Sequence, residues 1–149
     1  MNAKEMWTNY TNQFCENKNK TYEAWHFSND EKNANELAEL VVNGEKTATV
    51  SGFCFYKFEH EEIPKVGSFS IVLDWNDNAK CIIRISKVYT LPFNKVTKEH
   101  ACKEGEGDKT LLYWRNVHKR FFSEELNEYK KAFNENMMVV CEEFEVVWK

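Results

Sequence analysis

A lysine and a threonine three residues apart are the side chains whose types and spacing first suggest chemistry. Lys46 and Thr49 lie in the polar stretch Asn43–Val50. A threonine hydroxyl becomes a useful nucleophile when a base is within hydrogen-bonding reach. A lysine serves as that base once desolvation or a nearby cation lowers its pKa from about 10.4. Residues three apart converge on one cleft if they lie in a turn. If Lys46 and Thr49 lie in a turn, we therefore predict that they act as base and nucleophile. The simpler interpretation is a solvated lysine beside threonines that favour β-structure.

A carboxylate is the natural third member of such a site, because it orients the lysine or protonates a leaving amine. Glu104 ends a predicted short helix, Lys98 to Glu104, directly before Gly105. Glycine lets the backbone approach a ligand closely. Acidic residues beside glycine are also ordinary in turns, so both interpretations of Glu104 stay open.

A second carboxylate, Glu142, lies in an otherwise apolar row of the predicted last strand. It shares a face with Val140 and Phe144, while Glu143 points to the other side. A buried carboxylate needs hydrogen-bond donors. The pattern therefore predicts either a structural partner for Glu142 or a supporting role at a site.

The patterns on either side of these residues indicate the elements that position them. Residues 34–42 have apolar side chains at helical spacing and predict a helix that ends at Gly44. Further strands are predicted over 50–58, 68–74, 80–89 and 138–148, and helices over 4–19, 98–104 and 109–122, with a separate helix starting at Ser123. This order favours an α+β fold, a small mixed β-barrel with helices packed outside.

Length and charge restrict the classes of protein. With 149 residues the chain is expected to form a single domain over 1–149, in which residues 1–30 are an N-terminal helical extension. Twenty basic and twenty-four acidic residues give a net charge of −4. Binding to a nucleic-acid backbone usually needs a basic face. The charge therefore disfavours broad binding to long RNA, but it allows a small pocket for a nucleobase or a short single strand.

Cysteine and histidine spacing gives no metal-site pattern. The five cysteines include no C-x-x-C pair, and the four histidines include no H-x-x-x-H pair. No apolar signal region begins the chain, and no run of about 18 apolar residues occurs. We therefore expect a reduced, cytoplasmic protein that needs no metal and no cofactor and does not enter a membrane.

Four motifs in a fixed order resemble the ASCH domain, a small barrel related to the PUA fold of RNA-modifying proteins. They are Gly44–Thr49, Pro64–Ser68, Val96–Glu104 and the closing Glu142-x-Phe144, spread over roughly residues 34–148. The sequence that follows Glu104 is similar to a longer, bacterial branch of ASCH domain-containing proteins.

The resemblance implies a pocket for a nucleoside, a nucleotide or short RNA, with three possible activities. Some ASCH members are amidohydrolases that deacetylate acetylcytidine with a Lys, Thr and Glu triad, and Lys46, Thr49 and Glu104 fall on those positions. A non-catalytic RNA- or nucleotide-binding module is the alternative, and a ribonuclease is the third.

Aromatic and basic residues complete the predicted site. Trp25, Tyr56 and Trp114 are candidates to stack on a base, and Arg115 is a candidate to bind a phosphate or carbonyl. Packing in the core is the simpler interpretation of the three aromatic residues.

Overall fold

One five-stranded mixed β-sheet forms the centre of the protein. The computed structural model describes all of residues 1–149. The strand order in the sheet is β1-β3-β4-β5-β2. The strands are β1 (Tyr22–Trp25), β2 (Ala48–Gly52), β3 (Phe69–Leu73), β4 (Ala79–Pro92) and β5 (Met138–Trp148). β1 pairs with β3 in parallel, and all the other neighbouring strands are antiparallel.

Five α-helices surround this sheet. They are α1 (Ala3–Gln13), α2 (Glu31–Val42), α3 (Phe53–Phe58), α4 (Lys98–Glu104) and α5 (Leu111–Glu128), with short 3-10 turns at Cys15–Asn17 and Phe93–Lys95. None of these helices combines the length and the apolar character that crossing a lipid bilayer requires.

The α+β class predicted from the sequence is confirmed, but a closed barrel is not. The edge strands β1 and β2 have four and five residues and do not pair with each other. The sheet therefore stays open between them. The N-terminal segment contributes both α1 and the edge strand β1.

Residues 53–58 form a helix, so the predicted strand over 50–58 is wrong beyond Gly52. Phe55 and Phe58 are three residues apart and their ring centroids lie 6.1 Å from each other, as helical spacing allows. A short apolar run fits a helix and a strand equally well from its periodicity alone. The helix predicted to start at Ser123 is also absent as a separate element. The Ser123 hydroxyl donates to the carbonyl of Lys119, and α5 continues through it.

Helices cover both faces of the sheet. Ile71 and Val72 are adjacent on β3 and therefore face opposite sides. Ile71 belongs to the cluster packed by α1, and Val72 to the cluster packed by α2. On β5, Cys141 packs against α5, whereas Phe144 packs against α2.

A tight backbone contact holds α4 against the segment that precedes β2. The amide of Thr47 donates to the carbonyl of Lys103 at 2.7 Å. Gly105 ends α4 with a φ of +70°, and a Cβ at this position would overlap the carbonyl oxygen of Glu45. Glycine is therefore required both by the left-handed conformation and by the close approach.

We predict that Gly105→Ala lowers the free energy of unfolding by more than about 2 kcal/mol, because left-handed strain of roughly 1–2 kcal/mol adds to the backbone overlap. Gly44→Ala is the matched control, since Gly44 has a φ of +77° but no atom lies within 4 Å of the place that an alanine methyl group would take there. The free energy of unfolding of Gly44→Ala should fall only by the left-handed strain energy. Urea denaturation measures both variants, and equal losses would contradict the contact.

Candidate functional site

Lys46 and Glu104 meet in the interior of the protein. They are 58 residues apart in sequence, yet Lys46 Nζ lies 3.2 Å from Glu104 Oε1. Both side chains are only 1% exposed. The same ammonium lies 3.0 Å from Glu106 Oε2. The structure therefore brings two of the three predicted catalytic residues into one buried ion pair.

Local backbone structure places these two residues. The chain leaves α2 in a tight turn, in which the amides of Glu45 and Lys46 both donate to the carbonyl of Leu40. Thr97 caps α4 by accepting from the amide of His100. Glu104 is the last residue of that helix. Lys46 is thus directed inward by a turn, and Glu104 is presented by a capped helix.

Glu104 has three further partners, so its carboxylate is surrounded by donors. His100 Nε2 lies 2.7 Å from Oε2, and His118 Nε2 lies 3.5 Å from Oε1. The indole N–H of Trp114 donates to Oε2. We call Lys46, Glu104 and these three residues, together with Glu106, the buried charge cluster. The side chains of two successive helices thus satisfy a carboxylate that would otherwise be costly to bury.

Each of the two histidines has a second hydrogen bond that orients its ring. His118 Nδ1 lies 2.8 Å from the carbonyl of Trp114, so that nitrogen carries a proton. His100 Nδ1 lies 3.3 Å from the Tyr89 hydroxyl. Sequence analysis missed both histidines as members of the cluster. The available signal was spacing, since His100–Glu104 and Trp114–His118 are each one helical turn apart.

The charges in the cluster support one another. Burial disfavours the carboxylate form of Glu104, but Lys46 and His118 outweigh this effect and hold its pKa well below the usual range. Burial also opposes the ammonium of Lys46, yet Glu104 and Glu106 raise its pKa. Burial also opposes the charged form of His118, but the negative charge of Glu104 outweighs this effect and raises the pKa of His118. Lys46 is therefore a protonated cation at neutral pH.

A cleft of about 790 Å³ opens where the sheet is not closed. It is bounded by β1 and β2 and by the loop over 61–68. Thr49, Trp25 and Tyr56 line this cleft, whereas Lys46 and Glu104 do not. The structure therefore places the predicted nucleophile in the cleft and the predicted lysine and glutamate in the cluster beside it.

One aromatic side chain, that of Phe27, contacts both the cleft and the buried charge cluster. Phe27 lines the cleft, and its ring centroid lies 5.3 Å from Lys46 Nζ. Such a distance fits a cation–π contact. The cation thus contacts a ring that also lines the cleft. Sequence analysis did not select Phe27, because nothing in its neighbourhood of the chain distinguishes it from a core residue.

Two predicted binding residues lie away from the cleft. Trp114 is buried among Phe93, His118 and Glu104, and its ring stacks on the first two. Arg115 is exposed and donates to the carbonyl of Asn94. The simpler interpretation, packing in the core, therefore describes the position of Trp114.

Glu142 lies on the wall of the cleft. Burial raises its pKa to about 7, and the negative charge of Glu23 adds to the effect. Near it, the Tyr56 hydroxyl lies 2.6 Å from Ser51 Oγ. Burial raises the pKa of Tyr56 to about 12, so its hydroxyl stays protonated at neutral pH. The cleft therefore combines hydroxyl groups with a carboxyl group that titrates near neutrality.

Comparison with known proteins identifies the family. Residues 23–148 match the family model of the ASCH domain. The chain belongs to the ASCH domain family. It is similar to a solved ASCH domain from Lactobacillus crispatus, with 36% identity, a TM-score of 0.93 and coverage of 98% of this chain and 94% of that one. A solved protein from Enterococcus faecalis has 40% identity and a TM-score of 0.90, covering 97% of this chain and 87% of its own. The resemblance seen in the motifs is confirmed.

More distant comparisons bear on the fold alone. A solved hypothetical protein with 19% identity superposes with a TM-score of 0.57 over 85% of this chain and 100% of its own. No curated protein matches the sequence. The solved ASCH structures support a PUA-like fold for this ASCH domain. They do not change the finding that its sheet is open between β1 and β2.

The ASCH domain has one group of side chains with the composition of a metal site, but a lysine already occupies it. Ligand atoms of Glu104, Glu106 and His118 lie within 4.8 Å of one another. The Lys46 ammonium bonds to both carboxylates. A metal ion would have to displace that ammonium, and the positive charge of Lys46 would oppose its binding.

We predict that Glu104→Gln lowers the free energy of unfolding of this ASCH domain by about 3–5 kcal/mol, because it leaves the buried Lys46 ammonium without its fully buried counter-charge. Glu106→Gln is the matched control. The Glu106 side chain is 17% exposed, so the free energy of unfolding of Glu106→Gln should fall less than that of Glu104→Gln. The double variant Lys46→Met, Glu104→Gln should recover part of the loss. Urea denaturation measures all three, and equal losses at 104 and 106 would contradict the central role of Glu104.

We predict that His118 makes stability depend on pH. Because its pKa is raised in the folded state, its contribution is full below the unfolded value of about 6.5 and is lost as the pH rises through the folded-state pKa. The melting temperature of the wild type should therefore fall more steeply above about pH 6.5 than that of His118→Phe. His60→Asn, at an exposed position, is the control and should keep the wild-type slope. Parallel curves for all three proteins would refute the role of His118.

Proposed function

We propose that the cleft between β1 and β2 binds a nucleoside-sized ligand. The observation that carries this proposal is the combination of Trp25, Phe27 and Tyr56 with the hydroxyl groups of Thr49 and Ser51 in one cleft of about 790 Å³. Ligand pockets of about 300–1,000 Å³ are typical for small molecules. Aromatic faces stack on flat bases, and hydroxyl groups bond to base edges or to a ribose.

The charges around the cleft favour a neutral nucleoside over a phosphate chain. Four carboxyl groups and three cationic groups line it: Glu23, Glu61, Glu62, Glu142, and Lys20, Lys65, Arg84. Phosphate binding usually relies on an excess of cations. A mixed and slightly acidic lining instead suits a base that carries amino groups, which donate hydrogen bonds to carboxylates. Binding of a nucleotide or of short RNA remains the alternative occupant.

A second candidate function is hydrolysis of an amide on such a base, for example on acetylcytidine. The position of the Thr49 hydroxyl in the cleft favours it, because a bound acyl group would lie next to a nucleophile. The family triad would make Lys46 the base for Thr49. That role requires Lys46 to leave two carboxylates and to reach a cleft that it does not line, and its raised pKa opposes the loss of its proton.

Ribonuclease activity has less support. General acid–base cleavage of RNA is served most often by histidine. The histidines His26, His60, His100 and His118 all lie outside the cleft lining. We therefore rank this activity below ligand binding and amide hydrolysis.

We predict that the protein binds cytidine and acetylcytidine, and that Trp25→Ala weakens binding roughly 5- to 150-fold, since stacking contributes about 1–3 kcal/mol per base. Isothermal titration calorimetry at two salt concentrations measures this effect. Trp75→Ala is the matched control, because Trp75 is partly exposed but does not line the cleft. A strong salt dependence would indicate phosphate contacts. Equal weakening in both variants, or no binding of either compound, would argue against the proposed pocket.

A further inference from the structure

We propose that Glu142 is the general base that activates Thr49 in this cleft. The inference rests on the amide-hydrolase candidate proposed above and assigns its missing base. The alternative base, Lys46, is bonded to Glu104 and Glu106 and does not line the cleft.

The register of the sheet sets Thr49 and Glu142 side by side. Thr49 on β2 is directly opposite Glu142 on β5. Directly opposed residues of an antiparallel pair project from the same face, with Cβ atoms about 4.5–5.5 Å apart. Both side chains line the cleft. The carboxyl carbon of a glutamate lies two bonds beyond its Cβ. The Glu142 carboxylate can therefore reach the neighbouring Thr49 hydroxyl directly or through one water molecule.

The surroundings give Glu142 the properties of a base at neutral pH. Its pKa of about 7 arises from burial and from Glu23, which faces it from β1. The other ionisable groups around the cleft are Tyr56 of α3, Arg84 of β4, Glu61, Glu62 and Lys65 of the 61–68 loop, and Lys20. A base whose pKa lies near the working pH is both available and strong enough to take a proton.

Charge and atoms balance in two half-reactions. Thr49 Oγ1 forms a bond to the acyl carbonyl carbon while its proton passes to the Glu142 carboxylate. The carbon–nitrogen bond then breaks, and Glu142 returns the proton to the departing amine of the base. The products are acetylated Thr49 and the free nucleoside. In the second half, water attacks the acyl carbon, Glu142 takes a proton from the water, and the Thr49 oxygen leaves with that proton as acetic acid is released, which loses its own proton to the solvent.

The first experiment uses p-nitrophenyl acetate, a reactive acetyl donor, so that it does not depend on the identity of the natural substrate. We expect mass spectrometry to find acetyl groups on Thr49, and the rate of p-nitrophenol release to fall roughly 10²- to 10⁴-fold in Glu142→Gln. Glu145→Gln, at an exposed position of the same strand, should keep the wild-type rate. Acetylation of Thr49 at an equal rate in Glu142→Gln, or acetylation elsewhere only, would overturn the proposal.

The pH profile separates a base from a merely structural carboxyl group. The wild-type rate should rise with pH through about 7. Glu142→Asp should keep a weaker form of this rise, and Glu142→Gln should lose it. Glu23→Gln removes the facing negative charge and should move the rise to lower pH. A rise that stays in place in Glu23→Gln and persists in Glu142→Gln would assign the base to another group.

Hydrolysis of acetylcytidine is measured in parallel to separate the two proposals. If Thr49 is acetylated through Glu142 but acetylcytidine is not hydrolysed, the substrate is wrong and the base assignment stands. If acetylcytidine is hydrolysed equally by the wild type and by Glu142→Gln, the function stands and Glu142 is not the base. Cytidine affinity, measured for each variant, checks that the cleft is intact.

Discussion

The ion pair between Lys46 and Glu104 is the constraint on which the arrangement of the protein depends. Two opposite charges that are each 1% exposed are stable only while they stay together. Their contact fixes the turn after α2 against the end of α4. Trp114 and His118 extend it to α5, because both bond to the same carboxylate. One buried anion thus ties α4 and α5 to the turn after α2.

Beside this closed cluster, the open edge of the sheet provides the space for a ligand. Phe27 faces both regions, with its ring 5.3 Å from Lys46 Nζ and its surface in the cleft. The charged side chains of the cluster do not line the cleft. Thr49 of β2 and Glu142 of β5 line it side by side, so under the function proposed above they are the groups that would reach a ligand. In that proposal the cluster is structural and the chemistry takes place in the cleft.

Sequence patterns predicted the parts of this arrangement that depend on local spacing. The end of α2 near Gly44, the alternation along β5 and the capped helix before Gly105 follow from periodicity and turn chemistry. Residues 53–58 show the limit of such prediction, because a six-residue aromatic run fits both the helical and the strand period. The pairing of Lys46 with Glu104 came from the resemblance to the ASCH domain. The cleft between β1 and β2 could not be predicted, since it depends on strand pairing far apart in the chain.

The protonation state of Lys46 tests the division between cluster and cleft most directly. Nitrogen-15 NMR of the lysine side chains, with Lys46→Met for assignment, follows its ammonium through a pH titration with and without cytidine. We predict a pKa above the ordinary value of 10.5, unchanged when the cleft is filled. A neutral Lys46 amine near pH 7, in the free or the bound protein, would contradict a structural cation and restore lysine as the base.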